Sequence, residues 1–381
     1  MIQSVLLDFY KLKISEKWIW IFNLILFVSL VAFRYKLGGD TFNYMNDFEN
    51  FPTLDRIGFS DLFGLKYSPL WVLLFSLVKT IFTDFLFFQI LHAVFVNGII
   101  FWFISRYCKY KFLAIFFYFF YFYFYFNTEI LRESLSICFF LLSVPSFLKS
   151  NWVKYYLCVL IAILFHYSAL ILILFPLLKN VNLNVVKMLL LGIVLYFVPK
   201  LFLEFLPPFI KMYYEEYVVY QANLGGYLYA TICFILFPLL VIKLDKLVIN
   251  SRRELFVFAS VFFSIAVYSF ISPSIALRFF NYLFLIVIVF FVNFSGALIT
   301  TTRLKRFSLL FFIPCVLLYK SKEYFADTSE ILVHSRFYIR WYPYTTVFTK
   351  DWASQKRAVE MREKWVDAHF VNLVEDLKEL L

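Results

Sequence analysis

Charge is scarce in this chain. Only 16% of its 381 residues are Asp, Glu, Lys or Arg, against about a quarter in soluble globular proteins. Hydrophobic residues make up 63% and aromatics 23%. A soluble core has no room for 54 Phe and 27 Tyr in a chain of this length, whereas a bilayer accepts apolar surface around every helix. Paired cysteines are absent as well: Cys108, Cys138, Cys158, Cys233 and Cys315 stand singly, with no C-x-x-C motif. That pattern indicates neither a disulfide framework nor a metal site, so cysteine is read as packing. No small-residue cleavage site follows the first apolar run, 18–33, which leads straight into Arg34 and Tyr35; a retained first helix is expected. The formal charge of +11 sits in short clusters between apolar runs. It forms no single basic face, which argues against a nucleic-acid partner and for membrane topology signals.

Apolar runs occur at 18–33, 69–82, 85–104, 112–126, 134–148, 155–165, 169–178, 185–205, 227–242, 255–271, 279–294 and 307–319. The expectation is an all-α integral membrane protein of about 11–13 transmembrane or half-membrane helices, since several runs fall short of the roughly 20 residues a straight span needs. Residues 1–349 form the membrane domain, and 350–381 an amphipathic, mixed-charge C-terminal helix with Val359, Val366, Leu373 and Leu380 seven apart. The aromatic tract 116–126 alternates like a strand, but an open strand cannot satisfy its backbone in lipid, so helix is expected. Basic clusters at Lys11/Lys13/Lys17, Arg106/Lys109/Lys111, Lys149/Lys154, Lys179/Lys187, Lys243 to Arg253 and Arg303 to Arg306 place those loops in the cytoplasm. Segments 34–67, 127–133, 206–226, 272–278 and the neighbourhood of His166 then lie outside. Two spans between Lys66 and Arg106 would break this parity, so one of them does not cross or the Arg106 cluster defies the rule. Residues 155–178 read as a hairpin turning at His166, near mid-bilayer or in an outward-open cavity.

Polar residues kept in such a setting are costly and therefore point to function. Asp40 and Tyr44 share a face of a short helix begun at Asp40, although Asp40 also suits a plain helix cap and Arg34 a snorkelling cation. Glu129 is three residues before Arg132 and four before Glu133, which allows an ion pair or a carboxylate pair. His166 has polar followers in Tyr167 and Ser168, while His92 reads as hydrogen-bonded packing. Arg278 is a further cation at a helix end. Arginines from distant parts of the chain suit a diphosphate, whose oxygens their planar forks bind bidentately; a carboxylate or His would then deprotonate a sugar hydroxyl.

In order along the chain come Arg34, Gly39, Asp40, Thr41 and Tyr44, then Ile130 to Ser136 with Arg132 and Glu133 inside it, then Ala162 to Leu170 around His166, and finally Tyr342, Pro343 and Tyr344. Across 18–350 this series resembles the Wzy/EpsG-type polysaccharide polymerases, which build O-antigen, capsule or exopolysaccharide in bacteria. The resemblance implies a GT-C-like glycosyltransferase architecture in the cytoplasmic (inner) membrane, with the site facing the periplasm or exterior. It implies transfer of a growing glycan from undecaprenyl diphosphate to a sugar hydroxyl of the next lipid-linked repeat unit, without cofactor, metal or nucleotide sugar. Its partners would be those lipid-linked oligosaccharides, membrane lipid and a chain-length regulator protein. It assigns Arg132 and Arg34 to the diphosphates, Asp40 to the base, His166 and Arg278 to acceptor or leaving-group contacts, and Tyr44, Glu129, Tyr342 and Tyr344 to substrate. Glu133 stands where such families commonly carry Gln, which leaves it as a substrate contact, a base or a partner of Arg132. A flippase or transporter of the same lipid-linked oligosaccharide should show internal repeats and charges spread along a path; no repeat is found. An O-antigen ligase or a membrane acyltransferase shares the same residue types.

Overall fold

Local signals start the helices where they lie. The computed structural model describes residues 7–8, 16–63, 67–178, 190, 273–299, 341 and 343–364. Apart from residue 190, the runs at 185–205, 227–242, 255–271 and 307–319, together with Tyr342, lie outside the described residues, as does the stretch 365–381 of the expected C-terminal helix. The first helix, α1 (Glu16–Ala32), covers the first apolar run. A turn with Lys36 and Gly38 at positive φ leads into α2 (Gly39–Asn50), and α3 (Phe59–Phe63) follows. Ser68 and Pro69 open α4 (Pro69–Ile81), with proline where its missing N–H costs nothing. Asp84 caps α5 (Phe85–Tyr107) by accepting from the Leu86 amide at 2.8 Å. Next come α6 (Lys111–Tyr118), α7 (Leu131–Leu148) and α8 (Trp152–Phe165), the last capped by Asn151. Beyond His166 a 3-10 helix, Tyr167–Leu174, runs into α9 (Phe175–Leu178), and α10 is Pro273–Ile299. Among the described residues there is no strand, only an isolated bridge between Arg34 and Thr346.

Two of these helices, α5 and α7, are long and apolar enough to cross a membrane. The outward residues of three helices repeat at i, i+4 and i+7: Trp18, Phe22 and Ile25 on α1, Phe87, Leu91 and Val94 on α5, and Val153, Leu157 and Leu160 on α8, all exposed. Such stripes promote association in water and are ordinary against lipid. With 13 residues, α4 is about 20 Å long, short of the roughly 30 Å hydrocarbon layer. Of the two segments before Arg106, it is the one that cannot cross unaided.

Close packing and buried polar links, the means by which helices pair where the surroundings are as apolar as leucine, join these helices. His92 of α5, fully buried, donates or accepts through Nε2 at 2.9 Å from Ser134 Oγ and lies 3.2 Å from the Leu131 carbonyl of α7. That is the packing role expected of it. Asn97 donates to Asn127 at 3.0 Å, and Tyr118 completes the buried cluster. The hairpin at His166 is present: Tyr155 and Tyr156 donate to the carbonyls of Leu172 and Ile173, so the chain doubles back.

The aromatic tract is helical, with a twist that its letters do not announce. After α6 the winding changes to two π turns, Phe119–Tyr123 and Tyr125–Glu129, before Ile130 breaks the helix at φ −116° and ψ 50°. Asn127 and Thr128 donate back to the carbonyls of Tyr123 and Phe124 and hold the wider turn. Such turns occur as short insertions, often beside functional sites. This one ends on Glu129.

Candidate active site

A cavity of about 290 Å³ opens among Asp40, Tyr44, Tyr125, Glu129, Ile130, Arg132, Glu133, His166 and Arg278. The residues come from α2, the second π turn, the start of α7, the turn after α8 and the start of α10. Seven of the ten residues singled out from the sequence are therefore lining residues of one cavity.

Glu129 is 6% exposed. Its two oxygens accept from the amides of Gly39 at 2.9 Å and Asp40 at 3.2 Å, at the N-terminus of α2. This carboxylate thus clamps the turn that presents Asp40, in the place where the helix dipole favours negative charge. Next to it, Thr41 donates to the Thr128 carbonyl at 3.2 Å, and Tyr44 to the Glu129 carbonyl at 3.4 Å. Gly38, at φ +97°, fits because it lacks a Cβ: one placed there would lie 2.5 Å from Thr128 Cβ. Burial, partly offset by Arg132, pushes the Tyr44 phenol up to about 12, so it stays a neutral donor.

Glu133 is 1% exposed and pairs with Arg278 at 3.0 Å, while Asn281 donates to its other oxygen at 2.9 Å. Of the roles open to it, the structure shows a charge partner, and the partner is Arg278, brought from far along the chain. Arg132 lies over the Tyr67 ring, 5.1 Å from its centroid, and Tyr67 donates to Asp47 at 2.6 Å. Half-buried, Arg132 faces the cavity together with Asp40, which is exposed, unlike the two sunken glutamates. His166 Nδ1 is 2.6 Å from Ser168 Oγ, and a chain through Tyr282 (2.9 Å) and Ser136 (3.0 Å) continues to the Ala162 carbonyl. This chain fixes the ring plane.

Arg34 and Tyr344 are placed elsewhere. Arg34 is wholly buried, and its Nη1 donates to the Val31 carbonyl; its backbone forms an antiparallel bridge with Thr346. Its side chain is closed in behind the site and does not line the cavity, which Arg132 and Arg278 do. Tyr344, partly buried, donates to the Leu30 carbonyl and does not line the cavity either. Sequence reasoning missed Tyr125, which is one of several tyrosines in the tract, and Asn281, whose signal is a polar residue three after Arg278 inside an apolar run.

A family model described as the EpsG family matches residues 17–346. The chain belongs to the EpsG family. EpsG proteins are Wzy-type polysaccharide polymerases, so the cavity is to be read as belonging to a membrane-associated protein of polysaccharide synthesis. No curated protein and no solved structure matches the chain significantly. The EpsG match contains every residue lining the cavity and ends before the helical segment 353–364. Among the described residues of this EpsG chain, no group of three or more His, Cys, Asp or Glu is placed to hold a metal ion.

Proposed function

We propose that the cavity joins lipid-linked repeat units, taking a growing glycan from undecaprenyl diphosphate and passing it to a sugar hydroxyl of the next unit at the outer face of a bacterial cytoplasmic membrane. The observation that carries this reading is the grouping of Arg132, Arg278 and His166 around an exposed Asp40. The acceptor hydroxyl oxygen attacks the anomeric carbon, and the bond from that carbon to the diphosphate oxygen breaks. Asp40 takes the hydroxyl proton, and the electron pair leaves on the diphosphate. Arg132 and Arg278 face the charge that grows on this leaving group; fixed donors of this kind commonly supply the largest part of rate enhancement. His166, held through Ser168, contacts donor or acceptor oxygens, and Tyr44 contributes a neutral hydroxyl. Multi-pass topology and the GT-C-like architecture belong to the same proposal.

The test is polymerisation of purified lipid-linked repeat units in detergent, read as a ladder on a gel. Wild type is expected to give the ladder, and Arg132→Ala and Asp40→Ala, inserted normally, to lose it. A wild-type protein that gives no ladder but moves the lipid-linked unit across liposomes would replace this reading with a flippase.

A further inference from the structure

The loop that presents Asp40 is clamped on both sides. On the inner side stands Glu129. On the outer side lies a strap, residues 343–364, most of it beyond the part matched by the family. Its backbone runs antiparallel to the loop: Tyr35 N donates to the Thr345 carbonyl at 2.9 Å, and Val347 N to the Phe33 carbonyl at 3.0 Å. At its far end Arg362 is 1% exposed. Its guanidinium donates to the Lys36 carbonyl at 3.2 Å, to Thr345 Oγ1 at 2.8 Å and to the Pro343 carbonyl. The next residue, Glu363, forms an ion pair with Lys36 Nζ.

Both contacts converge on Lys36, whose φ is +44°. A lysine in the left-handed region persists only where its surroundings hold it there. The rigid planar fork of arginine reaches three separated oxygens from two terminal nitrogens, whereas lysine's three donors sit on one compact ammonium at the end of a flexible stem. We propose that Arg362 is a positioning residue for Asp40, acting through Lys36, so that the C-terminal helix is a working part of the site. This rests on the reading of Asp40 as the reactive carboxylate.

The test uses the full chain with Cys158, Cys233 and Cys315 replaced by Ser and a nitroxide attached at Asn43→Cys, an exposed position on α2 three residues after Asp40. In Arg362→Ala the label is expected to gain a mobile component. The kcat for polymerisation should fall by about 100-fold, the scale of a 1 Å misplacement, with KM for the lipid-linked unit within twofold of wild type. Arg362→Lys should recover part of both. Gln355→Ala, which removes only the strap's bond to the Tyr344 carbonyl, should behave as wild type. A wild-type spectrum and kcat in Arg362→Ala overturn the proposal, as does a loss shared equally by Gln355→Ala. If Arg362→Ala does not fold, Arg362→Met, which keeps the buried stem and removes the three bonds, takes its place, and an unchanged spectrum and kcat there overturn it. If wild type makes no polymer, the spectra decide alone, because they do not depend on the reaction.

Discussion

Removing Arg278 separates what that residue does for stability from what it does for chemistry. Its partner Glu133 is 1% exposed, whereas the Arg278 side chain is 26% exposed. Arg278→Ala therefore strands a buried carboxylate with Asn281 still donating to it, and losing one member of such a pair costs about 3 kcal/mol. Glu133→Gln leaves a cation that water still reaches, at a cost of about 1 kcal/mol. In the double variant no charge is stranded and Gln still accepts from Asn281, so about 2 kcal/mol is expected. The coupling is then about 2 kcal/mol, well above the scatter of independent sites. The assay is unfolding by SDS titration in mixed micelles, followed by tryptophan fluorescence, for wild type and the three variants. A double variant costing the full sum of about 4 kcal/mol refutes the argument, because the charges would then not feel each other. On the proposed function the double variant should also stay impaired as a polymerase although it is more stable than Arg278→Ala, since the diphosphate would lose one of its two arginines.

Arg132→Ala should lower kcat by about 100- to 1,000-fold, the scale of a removed charge-stabilising donor, with little change in the SDS midpoint. Glu129→Ala frees two amides at the start of α2, and at about 1–3 kcal/mol for the unpaired groups the expected signs are a lower midpoint and faster exchange of the Gly39 and Asp40 amides. Gly38→Ala places a methyl 2.5 Å from Thr128 Cβ at φ +97°, so polymerisation should drop even where membrane insertion is normal; wild-type activity would show that the turn can relax.

Much of the site was legible because polar groups are rare here. Asp40, Tyr44, Glu129, Arg132, Glu133, His166 and Arg278 each interrupt or border apolar sequence, where keeping a polar residue is expensive. Spacing within a helix, however, says nothing about partners across the fold. Glu133 lies beside Arg132 in sequence and pairs with Arg278 in space. Arg34 carried the same outward signs as Arg132, and only packing shows it enclosed. Arg362 gave no sign at all, since a cation in a mixed-charge helix reads as solvated. The helical nature of the aromatic tract followed from the needs of backbone groups in lipid, but its winding depends on side chains such as Asn127 turning back on the chain.

That winding fixes how the tract can evolve. A π turn holds more residues than the α turn it replaces, so two in succession set the phase that delivers Glu129 to the Gly39 and Asp40 amides. Exchanging Phe for Tyr or Leu along 119–126 changes packing and leaves that phase intact. Deleting one residue turns everything downstream by about 100° and carries Glu129 away from the loop that it holds. Homologous chains should therefore vary more in the letters of this tract, Tyr123 and Tyr125 aside, than in its count, with insertions and deletions gathered in loops that no carboxylate has to reach.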